Sequence, residues 1–342
     1  MNDTPMLWVL VTGASGFLGG NILRALRKNP QITLIAACRD PNKISPWFKD
    51  EIRVGDLTDP HYRRELSKDI DVICHAGGWA SMWSHKKLEH THFFEPTCDL
   101  IESAIRNGVR RFILANTVTI AAKVKNGQPI DDFAPKQYTG YWPHLDRLMD
   151  IDDTMRANST RGMGMVNLRL GHFIGVGNRI GIVPALTPRL RTYLVPWLAG
   201  GRKRLPLVAD TDLGQGFARA CVAEGLDNYE SFNICGAEFP TLREVVNFIA
   251  AETGFPKPLY SVPYPAGYAF GGLMEMLSPL LPGHPFLTRS IVHLCEDWVC
   301  TSDYAKRKLG YLPEKDWRTT IREHLADLKT QGYPWPRLSQ VL

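Results

Sequence analysis

Three glycines near the start of the chain, Gly13, Gly16 and Gly19, have the spacing that holds a phosphate. They follow an apolar run, Val9-Leu-Val-Thr, and open a helical stretch. In such a G-x-x-G-x-x-G loop the first glycine permits a tight turn. The second lets the backbone approach a pyrophosphate closely, and the third lets the helix pack on the sheet. The loop residues Ser15, Phe17 and Leu18 complete the cradle, whose free N–H groups face the phosphates at the positive end of the helix. A strand before and a helix after turn a common glycine pattern into a dinucleotide signal.

The second apolar run should carry the residue that chooses between nicotinamide cofactors. NAD sites place an acid there, about twenty residues past the glycines. Here the tip reads Cys38-Arg39-Asp40-Pro41-Asn42-Lys43. Arg39 stands at the expected position and Lys43 lies a turn later. A guanidinium grips a 2′-phosphate bidentately, so NADP(H) is favoured over NAD(H). A one-residue shift would put Asp40 at the tip instead. No metal is expected: His85, His90, His92 and Glu95 lack H-x-x-x-H spacing.

The elements that position these residues alternate. Apolar runs at Leu7–Thr12, Thr33–Cys38, Val72–His75, Arg111–Leu114 and Gly164–Leu170 are interleaved with helical patterns at Phe17–Lys28, Thr97–Asn107 and Asp146–Ala157. That order predicts an α/β, Rossmann-type, doubly wound parallel sheet over residues 1–178. Elements around 205–240 return to it, and 179–342 form mainly a smaller, discontinuous substrate lobe. The 342 residues carry a net charge of +5, which gives no reason to expect nucleic acid. Seven cysteines without C-x-x-C spacing predict neither disulfides nor zinc, and a cytoplasmic protein. Met1–Met6 lacks a basic n-region, Leu7–Val11 is too short for a signal sequence, and no clean transmembrane stretch is present.

The chain resembles the NAD(P)-dependent epimerase/dehydratase family, the extended short-chain dehydrogenases, from about Leu7 to about Leu325. Gly55-Asp56-Leu57 is similar to the family's adenine-contacting turn. His75-Ala76-Gly77-Gly78 is similar to its H-x-A-A segment beside the cofactor. Arg169-Leu-Gly-His172-Phe-Ile-Gly175 is similar to its R-P-x-N-x-x-G stretch, which flanks the nicotinamide. The resemblance implies that Asp56, Leu57, Ala76, Gly77, Gly78 and His172 line a dinucleotide. It also implies a Ser or Thr that polarises the substrate oxygen, and a Tyr-x-x-x-Lys pair that moves the proton. Thr117 falls at the hydroxyl position, with Thr119 as the fallback. Tyr141 falls at the tyrosine position, but Leu145 stands where the lysine belongs. Thr117 and Tyr141 would also touch the cofactor.

Two true Tyr-x-x-x-Lys matches, Tyr304 to Lys308 and Tyr311 to Lys315, lie far past the sheet and read as coincidences. Without the ammonium a tyrosine titrates near 10, a poor base but still a donor. Carbonyl reduction, which needs a donor, should survive the loss better than reactions that begin by oxidising an alcohol. His144, three residues on, is expected to share the Tyr141 helix face as donor or orienting group.

The stretch Lys257–Thr288 is rich in Tyr, Phe, Leu and Met, and Glu275 is its only acid. It reads as an apolar wall over a ligand, a patch on a membrane surface, or lobe core. Pro285–Arg289 and Ala305–Pro313 resemble the 3β-hydroxysteroid dehydrogenase-like branch, which handles lipophilic ketones and alcohols. Trp79 and Trp83 are either aromatic walls or core. The expected function is NADPH-dependent reduction of a carbonyl in a hydrophobic small molecule. The alternatives are a nucleotide-sugar epimerase or dehydratase, its diphosphate on Arg189, Arg191, Arg202, Lys203 and Arg204, and a non-catalytic NADP-binding sensor or scaffold. Membrane contact is not expected, and the family's habit of pairing through helices suggests a homodimer.

Overall fold

Val9, Leu10 and Val11 are fully inaccessible, as a strand covered on both faces requires. The computed structural model describes residues 6–123, 128–280 and 284–335; the reading of Met1–Met6 and part of the Lys257–Thr288 stretch fall outside them. The main sheet takes strands β1 (Leu7–Thr12), β2 (Ile32–Cys38), β3 (Glu51–Val54), β4 (Val72–His75), β5 (Arg111–Thr117) and β6 (Gly164–Leu170). Three short strands follow: β7 (His172–Ile174), β8 (Trp197–Leu198) and β9 (Leu207–Ala209). β10 (Tyr229–Ile234) then returns to the sheet as its far edge, and β11 (Ser261–Val262) pairs with β8. The seven strands run β10-β6-β5-β4-β1-β2-β3, and every pairing is parallel.

The helices are α1 (Phe17–Leu26), α2 (Pro60–Leu66), α3 (Lys86–Glu89), α4 (Glu95–Arg106), α5 (Pro143–Asn158) and α6 (Ile182–Leu190). The remainder are α7 (Asp210–Val222), α8 (Leu242–Thr253), α9 (Tyr264–Leu277), α10 (Arg289–Leu294), α11 (Asp303–Leu309) and α12 (Trp317–Thr330). α1 and α7 cover one face of the sheet, where Ile22, Leu23, Leu213 and Phe217 pack on Val9 and Val11. α2, α4 and α5 cover the other, where Leu66, Leu100, Leu148 and Met149 pack on Leu10 and Phe112. This is the doubly wound Rossmann arrangement. A separate core joins α6, α8, α10 and α12 through Leu190, Val245, Val292 and Ile321 in the C-terminal lobe.

Parallel strands put every carboxyl end on one edge. The chain moves one way from β1 through β3 and the other way from β4 through β6. The switch point, where open α/β sheets bind ligands, therefore lies between β1 and β4. Among the described residues, no helix is long and apolar enough to cross a membrane.

Much of the apolar stretch is a helix, α9, which packs on the lobe core through Tyr264 and Tyr268 and leaves its other side open. Its inner face buries Gly267 and Gly271, while Phe270, Leu273 and Met276 stay exposed. Trp79 and Trp83, by contrast, are buried. The two Tyr-x-x-x-Lys coincidences brace the fold. Tyr304 stacks on Phe232 and donates to Glu230, and the fully buried Tyr311 donates to the Cys235 carbonyl.

Candidate functional site

β1 ends at Thr12, and the chain turns at Gly13 with φ of +66°. A Cβ there would stand 2.6 Å from the Ala76 carbonyl oxygen and 2.7 Å from the Gly77 Cα. The Gly77 amide donates to Thr12 Oγ1 at 3.1 Å, so the Thr12 side chain ties the end of β1 to the segment after β4. Gly16 is different. Its φ of −85° suits any residue, and a Cβ there would meet only the Gly13 carbonyl, at 3.2 Å. That single contact is tight, and the outer side of Gly16 is open, where a ligand would approach. α1 starts without a side-chain cap and without an acid in its first turn. Ser15 and Gly16 are exposed, Phe17 is half-buried against Phe173, and Leu18 is buried. This open, uncapped and uncharged cradle fits a pyrophosphate.

His75 is a tie beneath the loop. Its Nδ1 lies 2.8 Å from Thr12 Oγ1 and its Nε2 lies 3.0 Å from Thr97 Oγ1. Burial pushes it down to about 4, so the ring is neutral. At the β2 tip, the Asp40 carboxylate folds back to accept from the Asn42 amide at 3.0 Å and faces Lys43 at 3.7 Å. Arg39 points out, with only Asp56 near, at 3.9 Å. Asp56 itself accepts from Thr58 N and Oγ1. Burial works to raise its carboxyl, but the Thr58 hydrogen bonds and Arg39 hold it below the usual range. Leu57 is half-buried beside it; Ala76 and the exposed Gly78 flank Gly77.

Thr117 closes β5. Its hydroxyl lies 3.0 Å from the hydroxyl of buried Thr119 and accepts from the Thr119 amide. Tyr141 lies just before α5. Its hydroxyl is 3.1 Å from Nδ1 of His293 on α10 and 3.4 Å from the Tyr268 hydroxyl on α9. Nε2 of His293 lies 3.2 Å from the Thr119 carbonyl oxygen. Thr117, Thr119, His293 and Tyr141 thus form one string of contacts from the sheet edge into the C-terminal lobe. Burial raises the Tyr141 hydroxyl above the usual phenol value; the Tyr268 hydrogen bond and Arg289 oppose this, and Glu296 reinforces it.

One expectation needs correction. His144 is paired away from the tyrosine: its Nδ1 lies 3.0 Å from the buried carboxylate of Glu89, which also accepts from the Ser81 amide, and its ring packs on Phe93. Helix α5 begins only at Pro143, so Tyr141 and His144 do not share a helical face. Leu145 is fully buried against α4 and the sheet, so an ammonium there would sit in apolar core. His172 Nε2 donates to the Leu294 carbonyl at 2.8 Å, and burial pushes the ring down to about 4. His293 was not legible in the sequence; it lies 152 residues from Tyr141 and belongs to no motif.

The family model for the NAD dependent epimerase/dehydratase family matches residues 9–235. The chain belongs to that family. It is 25% identical to the 2-alkyl-3-oxoalkanoate reductase of Stenotrophomonas maltophilia over 335 residues, covering 95% of this chain and 99% of that one. It is 24% identical to a 4-hydroxy-2-methyl-3-oxo-4-farnesyl-3,4-dihydroquinoline-1-oxide ketoreductase of Stigmatella aurantiaca, covering 94% and 96%. Its fold is similar to that of a UDP-glucuronic acid 4-epimerase from Bacillus cereus, with TM-score 0.72, 16% identity, and coverage of 95% and 100%.

Proposed function

We propose that this family member reduces a carbonyl group in a hydrophobic small molecule with NADPH. The observation that carries the reading is the Tyr141 hydroxyl. It is a neutral proton donor standing among Tyr268, His293 and Trp142, with the lysine position given over to buried leucine. Two relatives matched along nearly their whole length are named as reductases of oxo compounds with alkyl or farnesyl groups, which supports the same chemistry.

In this reading Gly13, Gly16, Gly19 and the start of α1 hold the pyrophosphate, and Asp56 and Leu57 flank the adenine. Arg39 takes the 2′-phosphate, with Lys43 adding positive charge nearby. Gly77, Gly78 and His172 flank the nicotinamide. When bound, the dinucleotide supplies the hydride. Thr117 orients the substrate oxygen and Tyr141 protonates it. The nucleotide-sugar alternative has less support. Arg189 is buried, its guanidinium donating to the Phe286 and Ala185 carbonyls, and Arg204 is paired with Asp297 at 3.4 Å.

The test is NADPH oxidation against 2-alkyl-3-oxoalkanoates and bulky aromatic ketones, with UDP-sugars as the contrast. Ketone-dependent oxidation, faster with NADPH than NADH, supports the reading. Turnover of UDP-sugars alone overturns it, as does binding of NADPH without any turnover, the behaviour of a sensor.

A further inference from the structure

The lysine that family resemblance leads one to expect is missing, yet Tyr141 is not left without a proton partner. We infer that His293 of the C-terminal lobe takes that place: its Nδ1 holds the Tyr141 hydroxyl and returns a proton to it after each turnover. This rests on Tyr141 being the proton donor of the proposed reduction.

The geometry fixes the tautomer. The Thr119 carbonyl oxygen, 3.2 Å from Nε2, can only accept, so Nε2 carries the hydrogen. In a neutral ring Nδ1 is then bare and accepts from the Tyr141 hydroxyl at 3.1 Å. The ring has aromatic neighbours that hold it in place. It packs between Trp298, at 4.7 Å between centroids, and Trp142, at 6.0 Å, while the Trp298 indole N–H donates to the His293 carbonyl at 2.7 Å. A base held by a third group is the general logic of an activated hydroxyl.

The groups facing the ring supply a route to water. Glu296 lies 3.7 Å from Nδ1. Lys123, half-exposed, is ion-paired to the same Glu296 oxygen. Asp146 from α5, Tyr268 from α9 and His172 from β7 complete the titratable surroundings. Burial first, and Lys123 in addition, hold His293 down to about 4, so the resting ring is neutral.

The proton inventory closes. Tyr141 gives its O–H proton to the substrate oxygen and becomes a tyrosinate. That negative charge raises the proton affinity of His293, which takes one proton from water by way of Lys123 and Glu296. Nδ1 passes the proton to the tyrosinate, and both groups return to their starting forms. One proton leaves solvent per carbonyl reduced.

Histidine-selective ¹⁵N NMR of the whole chain at pH 7 tests the assignment without substrate. The expected spectrum contains a ring with bare Nδ1 and protonated Nε2 whose signals vanish in His293→Gln and whose Nδ1 signal moves in Tyr141→Phe. A protonated Nδ1, or an Nδ1 signal indifferent to Tyr141→Phe, overturns the inference. With a 2-alkyl-3-oxoalkanoate and NADPH, His293→Gln should lower kcat about 100-fold. The NADPH Kd should be unchanged, and the pH dependence of kcat should flatten. An unchanged kcat and pH profile in a folded variant also overturns it. A wild-type protein idle on every ketone sinks the reductive reading, whereas the tautomer decides the His293–Tyr141 pairing by itself.

Discussion

Arg289 grips Glu275 through three hydrogen bonds: its amide at 2.6 Å from Oε1, and Nε and Nη2 at 2.8 and 2.6 Å from Oε2. The grip joins α9 to α10 and sets the guanidinium 5.0 Å from the Tyr141 ring centroid. It explains why one acid stands in a stretch that is otherwise free of acids. Glu275→Gln removes the charge that holds Arg289 and should cost about 1–3 kcal/mol. Urea unfolding would read that loss. Turnover should fall while the NADPH Kd stays constant, because the clamp touches the Tyr141 side of the site and not the glycine loop.

Arg39 has an exposed side chain that faces Asp56 only at 3.9 Å, whereas Asp40 is occupied within its own turn. Arg39→Ser should raise the Kd for NADPH about 10- to 100-fold and leave that for NADH unchanged. Salt at 0.5 M should narrow the difference in the parent protein. Isothermal titration with both nucleotides checks this; equal effects on the two would assign Arg39 no role in cofactor choice.

Restoring the family's lysine should not restore its chemistry. Leu145 is fully buried, so Leu145→Lys places an unpaired ammonium in apolar core. The cost should be about 3–5 kcal/mol, with no gain in alcohol oxidation. A variant of parental stability that oxidises alcohols faster would show that position 145 faces the cofactor.

Acid should weaken the fold well before carboxylates titrate in bulk. Burial pushes His75, His172, His293 and His324 each down to about 4, against about 6.5 in an unfolded chain. Between those values the unfolded chain takes up protons that the folded chain refuses, so stability falls as pH falls. At pH 5 the loss is about 2 kcal/mol for each such ring. Buried Asp132, raised to about 6 mainly by burial, and Asp212, raised for the same reason, work in the opposite sense, but they are two groups against the four rings. Urea midpoints at pH 7 and pH 5 should therefore differ, with the lower midpoint at pH 5; an equal or higher value at pH 5 would contradict the burial of these rings.

What could be read in advance was what is local in sequence. The glycine loop, the β2 tip and the strand-helix alternation each lie within one short window, and the structure places them on one sheet edge. Tyr141 was found by its order after β5. Its partners were not, because Tyr268 and His293 arrive from a lobe 127 and 152 residues downstream with no spacing rule to flag them. His144 misled for the opposite reason. It is close in sequence, but the helix begins only at Pro143, and buried Glu89 captures its ring. The helix α9 was hidden by three glycines and a proline, residues that weaken a helical reading although packing on α10 selects the helix.

The proposed cofactor site is a dinucleotide bed across the ends of β1 and β4 against the start of α1. Gly16→Val tests this most directly, because its φ suits any residue and the one close neighbour an added Cβ would meet within the chain is the Gly13 carbonyl oxygen, at 3.2 Å. NADPH binding followed by nicotinamide fluorescence, beside thermal unfolding of the same samples, should show a parental protein that binds and a variant of equal stability whose affinity is at least about 30-fold lower. If the parental protein binds neither NADPH nor NADH, or the valine variant binds as well as its parent, the cofactor site lies elsewhere or does not exist.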